Sequence, residues 1–436
     1  MQIANVAAER QRIQTDTAFS VSIRPYPYPF KAALAICNDL DGIRSFQELK
    51  AIHDVLNGSR ETPCGPGLRL EIGDSLHFFS VHPDQDDTLS YFEGFYRKAM
   101  ADAPALRDGI ASGLLDTLHT WGNFSQKGGF FRKYAARAAD ELDKYSLQLP
   151  VWTNHGDIHN FQNLGRSDSL GDISNHSSVR GDVHQVLEYH ADLVKRIGVR
   201  YLWIKELTPV PGQERVLHWR DWIERGSFLS KQIVRDLMNG SNGGNASTSF
   251  CASNQMMKPV TLRDGSIFWE IIRYGSFLQD GGDNVPELLS HRVLKELTDN
   301  GGASLLYVHL GKGRPSPDKP FSRESYLALE RLAQWHRSGE IWVTTAARLC
   351  RYMELRRCLK LKVKLDRGIH RIITDFRGIG SFSTPDLSGL TFYQNGINPC
   401  ILTYGDKEVN LRLNPPDDSG KISQSVPLKP MPYCWE

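Results

Sequence analysis

The chain has 436 residues, 40% hydrophobic and 23% charged, with 52 Lys and Arg against 50 Asp and Glu. That length exceeds what one compact core usually holds, so a large domain with an appendage is expected, and the charge balance gives no net pull towards nucleic acid or anionic lipid. The seven cysteines are scattered, odd in number and without a CxxC pair, which argues against a disulfide framework or a cysteine zinc site and fits reduced thiols in a cytoplasm.

Residues 1–22 are polar and mixed in charge, without the apolar core of a secretory leader, and no apolar stretch is long enough to cross a bilayer. A cytoplasmic location and no membrane span are therefore expected. "AALAIC" (32–37) reads as a buried strand and runs into "NDLDG". Asp39 and Asp41 are i and i+2 there, so on a strand both point to one face; the alternative is a plain strand-to-loop turn, which favours Asn, Asp and Gly. "GLRLEI" (67–72) is a second strand, with Glu71 and Asp74 of "LEIGDSLHFF" as weaker candidates. "GLLDTLH" (113–119) is a third, and the residues at its end, His119, Trp121 and Asn123, suit a sugar: a ring for stacking and polar groups for hydroxyls. A packed Trp at a strand end is the rival reading.

"KYAARAADELDKYSL" places Ala and Leu at helical spacing with charges opposite. The strand "LPVWTNH" (149–155) leads into "TNHGDIHNFQN", where His155 and His159 are four apart, close enough on a helical turn to hold one divalent ion. "DVHQVLEYHADLVKRIG" and "ELLSHRVLKELTDNG" are helices that close on Gly. "VRYLWI" (199–204), "SIFWEII" (266–272) and "SLLYVHL" (304–310) complete seven strands, the last ending on His309; "MNGSNGGNASTSF" (238–250) is a loop. The aromatics of "LAQWHRSGEIWV" read as helix residues facing a core. Beyond about residue 360, "LKLKVKLD", "HRIITDF", "GLTFY", "ILTYG" and "VNLRLN" read as antiparallel β, a small sandwich. The expected domains are a polar segment 1–22, a β/α barrel 23–362 and a β-sandwich-like domain 363–436.

Strand, helix, strand in repetition implies parallel strands, whose C-terminal ends carry the chemistry. Three such ends here bear Asp-x-Asp, His-x-x-x-His and His. One carboxylate and two imidazoles make a three-ligand divalent site with positions left for water, and a second carboxylate and third histidine remain as base and acid. No glycine-rich loop follows the first strand, which disfavours a nucleotide-binding sheet.

These motifs resemble those of the polysaccharide deacetylases of the NodB-homology type, carbohydrate esterase family 4: "NDLDG" for the aspartate motif, "NHGDIH" for the histidine pair and "LLYVHL" for the final histidine, in the same order over residues 30–310. The resemblance implies a distorted (β/α)7 barrel. It also implies a divalent ion held by Asp41, His155 and His159, zinc first with cobalt or nickel as alternatives, Asp39 as base and His309 as acid to the departing amine. "HWRDW" (218–222) resembles the family's Asp-Trp motif, making Arg220, Asp221 and Trp222 supporting or substrate-binding residues. Two departures stand out: Leu40 separates aspartates that are usually adjacent, and the arginine-proline motif has no counterpart. The implied function is a metal-dependent amidohydrolase that removes an N-acetyl or related acyl group from a sugar or glycan precursor. Its alternative is a non-catalytic saccharide-binding protein on the same barrel. The oligomeric state is left open.

Overall fold

Every residue of Ala32–Asn38 is buried, as a parallel strand covered on both faces requires. The structure, a computed structural model, describes residues 20–80, 88–94, 98–122, 124, 129–155, 160–165, 171–172, 188–238, 249–250, 254–275, 280–366, 369–376, 382–395 and 400–436. The chain forms two compact units, Ala32–Cys350 with Met431–Glu436, and Met1–Lys31 with Arg351–Pro430.

The first unit is an α/β fold around a 13-stranded mixed sheet. Its parallel strands include Ala32–Asn38 (β1), Gly73–Phe79 (β2), Leu115–His119 (β3), Val151–Thr153 (β4), Tyr201–Trp203 (β5), Glu206–Thr208 (β6), Ile267–Ile271 (β7), Arg273–Tyr274 (β8), Ala303–Val308 (β9) and Ile341–Thr344 (β10), with short Ser90–Phe92 beside β2 and Ser249–Phe250 beside β6. β1 pairs along its length with β9 on one side; on the other its first half pairs with β10 and its last two residues with β2. From β2 the order runs through β3, β4 and β5 to β7, while β6 pairs with β8 and β8 with β9. Because β6 follows β5, and β8 follows β7, after a short break, the pairings return towards β1. The sheet is curled, consistent with a distorted barrel.

Local chemistry explains the element ends. The helix Phe46–Leu56 (α1) starts where the Ser45 side chain accepts the Glu48 N–H at 3.3 Å, and it buries Leu49, Ile52, His53, Val55 and Leu56. The helix His291–Asn300 ends on Gly301 with φ 62°, as its sequence predicts. Several expectations need correction. "ELLSHRVLKELTDNG" is not one helix: Val285–Leu288 ends before Ser290, which is extended at φ −61° and ψ 154° and caps the separate helix His291–Asn300. In "DVHQVLEYHADLVKRIG" a helix covers Ala191–Arg196, and His190, at φ −151°, lies outside it. The C-terminal strands are not all antiparallel, since Ile369–Phe376 pairs in parallel with Cys400–Tyr404. Residues 67–72 are not a strand: Arg69 has φ 55°, which breaks the pleat, and Leu68 and Leu70 donate their N–H groups to Val55 and Leu56 at the end of α1. The strand starts at Gly73 instead. "LAQWHRSGEIWV" is also not one helix; the helix stops at Arg337, Gly339 turns with φ 79°, and Trp342 lies on β10, buried.

The second unit holds two four-stranded sheets. Leu359–Asp366 and Ile369–Phe376 pair antiparallel in full register, and Val21–Ile23 pairs with Thr391–Gln394. Leu361, Val363, Ile372 and Leu402 of one sheet share an apolar cluster with Val21 and Phe392 of the other. Buried Arg24 ties this unit's first strand down, donating to the carbonyls of Tyr26 and Pro27 at 3.0 Å and of Pro29 at 2.9 Å. Among the described residues, no helix is long and apolar enough to cross a membrane.

Candidate metal centre

Alternation along the strands decides what faces the site. Asp39 follows β1, its N–H bonded to the Val308 carbonyl at 2.7 Å, and its side chain is 1% exposed. On β2, Ser75 and His77 occupy the positions that face it; Ser75 donates to Asp39 Oδ1 at 3.2 Å. His119 ends β3 with Nδ1 3.2 Å from Asp39 Oδ2, and His309, just past β9, brings Nε2 to 3.1 Å. Neither contact counts as a hydrogen bond, so among the described residues the buried Oδ2 has no hydrogen-bond donor. A carboxylate oxygen left in that state costs free energy unless a cation meets it.

The atoms group in two ways. Ligand atoms of Asp39, His77 and His119 all lie within 4.8 Å of one another, and so do those of Asp39, Asp41 and His309. The His77 and His119 rings are 4.8 Å apart. Ligands about 2.1 Å from a tetrahedral ion stand about 3.4 Å from each other, so the first group needs little movement to close on one. The second group already has a cation. Lys312 Nζ is 2.9 Å from Asp41 Oδ2, and Asp280 Oδ2 faces His309 Nδ1 at 3.0 Å.

Charge follows this geometry. Burial pushes the Asp39 carboxyl up, but the imidazoles of His119 and His309 outweigh it and hold it well below the usual carboxylate range. Burial lowers His309; Asp280 and Asp39 reverse that and take it up to about 9. Beneath the cluster lies Arg273, buried and clamped between the rings of Trp203 at 3.9 Å and Tyr307 at 3.7 Å, with a hydrogen bond to Thr153 Oγ1. Burial lowers it to about 10.

On the outward side of the same strands a second buried network holds the site in place. Asn38 donates to Asp74 Oδ1 at 2.7 Å and accepts the Leu310 N–H at 2.8 Å, and Asp74 Oδ2 bonds His53 Nε2. His53 Nδ1 is 2.8 Å from Asn57 Oδ1, whose amide donates to Ile72 O at 3.1 Å. With Asn57 Oδ1 and a carboxylate as its neighbours, His53 donates from both nitrogens. Asp39, Ser75 and His309 each sit one residue from a member of this network.

The residues expected from sequence fall in different places. Asp39, Asp41 and His309 come together. His155, after β4, stacks its ring on His119 at 5.6 Å and 9°, but belongs to neither ligand group; His159 lies outside the described residues. His119 joins Asp39 and His77 in a group that could hold an ion. Trp121 has no ring face for a sugar: it is fully buried, and its indole N–H donates to His190 Nδ1 at 3.1 Å. Asn123 lies outside the described residues. Asp221 is buried and serves a helix start, taking both Arg215 guanidinium nitrogens at 2.6 and 2.9 Å and the His218 N–H at 2.6 Å. Trp222 and Arg220 are exposed on that helix. Glu71 binds Arg348, Thr344 and the Met431 N–H, a structural set.

The sequence reading missed His77, Ser75, Asp280 and Arg273. His77 had a usable signal: it shares a face with Ser75 within "GDSLHFF", but placing the strand at 67–72 left it in a connection. Compared with known protein families and with curated proteins, the chain matches none.

Proposed function

We propose that this protein is a divalent-metal-dependent hydrolase of the polysaccharide-deacetylase kind, which removes an N-acetyl or related acyl group from a sugar or glycan precursor. The observation that carries this reading is a single buried carboxylate, Asp39, with His77, His119 and His309 converging on it at the C-terminal ends of parallel strands. Asp39, His77 and His119 fit an ion such as zinc, cobalt or nickel, since their donors are nitrogen and oxygen and, among the described residues, Asp39 Oδ2 lacks a hydrogen-bond donor. When bound, such an ion supplies Lewis acidity towards an acyl oxygen and acidifies water.

The other residues then take roles by position. His309 stands beside the centre and takes the acid role, giving a proton to the departing amine. Asp280 holds its ring from the far side. Asp41, on the solvent side and 3.7 Å from His309 Nε2, is the second carboxylate and takes the base role. This exchanges the parts that the family resemblance implies for Asp39 and Asp41.

The test is elemental analysis of the purified chain beside His77→Ala and His119→Ala, followed by acetate release from N-acetylated sugars. About one divalent ion per chain, lost in both variants, is expected. No ion in the native chain after zinc or cobalt is added would sink the reading.

A further inference from the structure

The helix Trp219–Met238 (α2) begins with a stretch that water should not favour. Trp219 is 67% exposed, Trp222 57%, Ile223 61% and Leu229 40%, and Val216 just before the helix is 84% exposed. Within the helix these positions and Gly226 are spaced i, i+3, i+4, i+7 and i+10, so they form one stripe along one side. Single exposed apolar residues are ordinary; a contiguous stripe with two tryptophans marks a surface that something covers.

The charges around the stripe select the occupant. Arg220 and Lys231 are exposed on one flank. The carboxylates on this stretch are paired with arginines: Asp221 is buried against Arg215, and partly exposed Glu224 lies 3.4 Å from Arg292. The exposed side chains from 216 to 231 are therefore apolar, cationic or, at His218, Ser227 and Ser230, polar, and none is a carboxylate. A second copy of the helix, crossing antiparallel between Arg225 and Gly226 so that the stripes overlap, sets Arg220 of one copy opposite Lys231 of the other. An anionic lipid surface fits on both counts. Tryptophan rings favour the headgroup region, aliphatic side chains reach the acyl boundary, and the basic flank meets the lipid phosphates.

We infer that α2 docks this protein onto anionic lipid bilayers, lying in the plane of the surface with Trp219, Trp222 and Ile223 inserted. The inference is independent of the hydrolase reading and stands if that reading falls.

The test is flotation of the full chain with phosphatidylcholine vesicles that contain or lack phosphatidylglycerol, beside two variants. Trp219→Ser/Trp222→Ser/Ile223→Ser removes the stripe, and Arg220→Glu/Lys231→Glu reverses the flank; all five residues are exposed, so circular dichroism should show both variants folded. The native chain is expected to float with the anionic vesicles, the serine variant to lose about tenfold in bound fraction, and the charge-reversed variant to lose the preference for phosphatidylglycerol. Absence of flotation with anionic vesicles, or flotation unchanged in the serine variant, overturns the inference. So does a concentration-dependent dimer that the serine variant abolishes without any lipid binding, which would assign the stripe to a second copy. Soluble glycans quenching the indole fluorescence of a chain that does not float would assign it to a saccharide, with the same consequence.

Discussion

Asp39 differs from Asp41 by two residues and by almost everything else. The first is buried among imidazoles; the second is 37% exposed and neutralised by Lys312. Alternation on a strand puts both on one face, and the motif carries nothing that says which lies deeper. The depth is set by where the ladder ends, one residue before Asp39, and by the turn that carries Asp41 towards solvent. His309 gives the sharpest residue-level prediction. Proposed as a proton donor outside the ligand group of Asp39, His77 and His119, it is expected to be removable without releasing a bound metal. His309→Gln is expected to keep its metal content and lose about 10²–10⁴-fold in kcat, the usual range for one acid or base. His77→Ala should instead lose metal and activity together. Elemental analysis with kinetics on the same preparations separates the two, and metal loss in His309→Gln would make it a ligand. His309 was legible in the sequence because it ends an apolar run, whereas His77 sits inside one, where a histidine reads as packing.

At the scale of elements, the His53–Asp74–Asn38 network ties α1, β1 and β2 together. Asp74 pulls His53 above its usual value of 6.5 although burial pushes the other way. A group whose pKa rises on folding adds stability that is complete below the unfolded pKa and fades as pH rises through the folded one. His53→Ala is accordingly expected to cost about 3–5 kcal/mol at mildly acidic pH, since it leaves the Asp74 carboxylate buried without its partner. The gap to the native chain should narrow as the solution is made alkaline. Urea unfolding of both proteins across that range checks it, and a gap that widens with pH would show that His53 is neutral in the fold. The strands that position this network were mostly legible, because buried parallel strands are continuous apolar runs. The register of β2 was not. Leu68, Leu70 and Ile72 have the alternation of a strand, and only the left-handed backbone at Arg69 keeps them out of the sheet. Short β6 and β8 went unseen because each continues the strand before it after a break.

At the scale of the whole chain, each unit is assembled from both ends of the sequence. The change of texture near residue 360 is visible in composition, being a switch from mixed α/β to period-two alternation. That Val21–Ile23 pairs with Thr391–Gln394 is not, since partners separated by most of the chain leave no local periodicity. The last six residues, Met431–Glu436, likewise belong to the first unit. Trp435 is 7% exposed, packs edge-on against Phe46 at 5.1 Å and His53 at 5.5 Å, and donates its indole N–H to the Ala105 carbonyl at 3.0 Å. Tyr433 donates to Asp54 at 2.7 Å. The contacts with Phe46, His53 and Asp54 lie on α1, the helix that carries His53, so these last residues support the network behind the candidate metal centre. Trp435→Ala is expected to cost about 3–5 kcal/mol through the cavity it opens and the indole hydrogen bond it removes. Hydrogen exchange localises the effect: amides of α1, β1 and β2 should lose protection, while those of Leu359–Asp366 and Ile369–Phe376 keep theirs. Equal loss in those two strands would mean that Trp435 stabilises both units, and that the end of the chain acts beyond the unit it packs in.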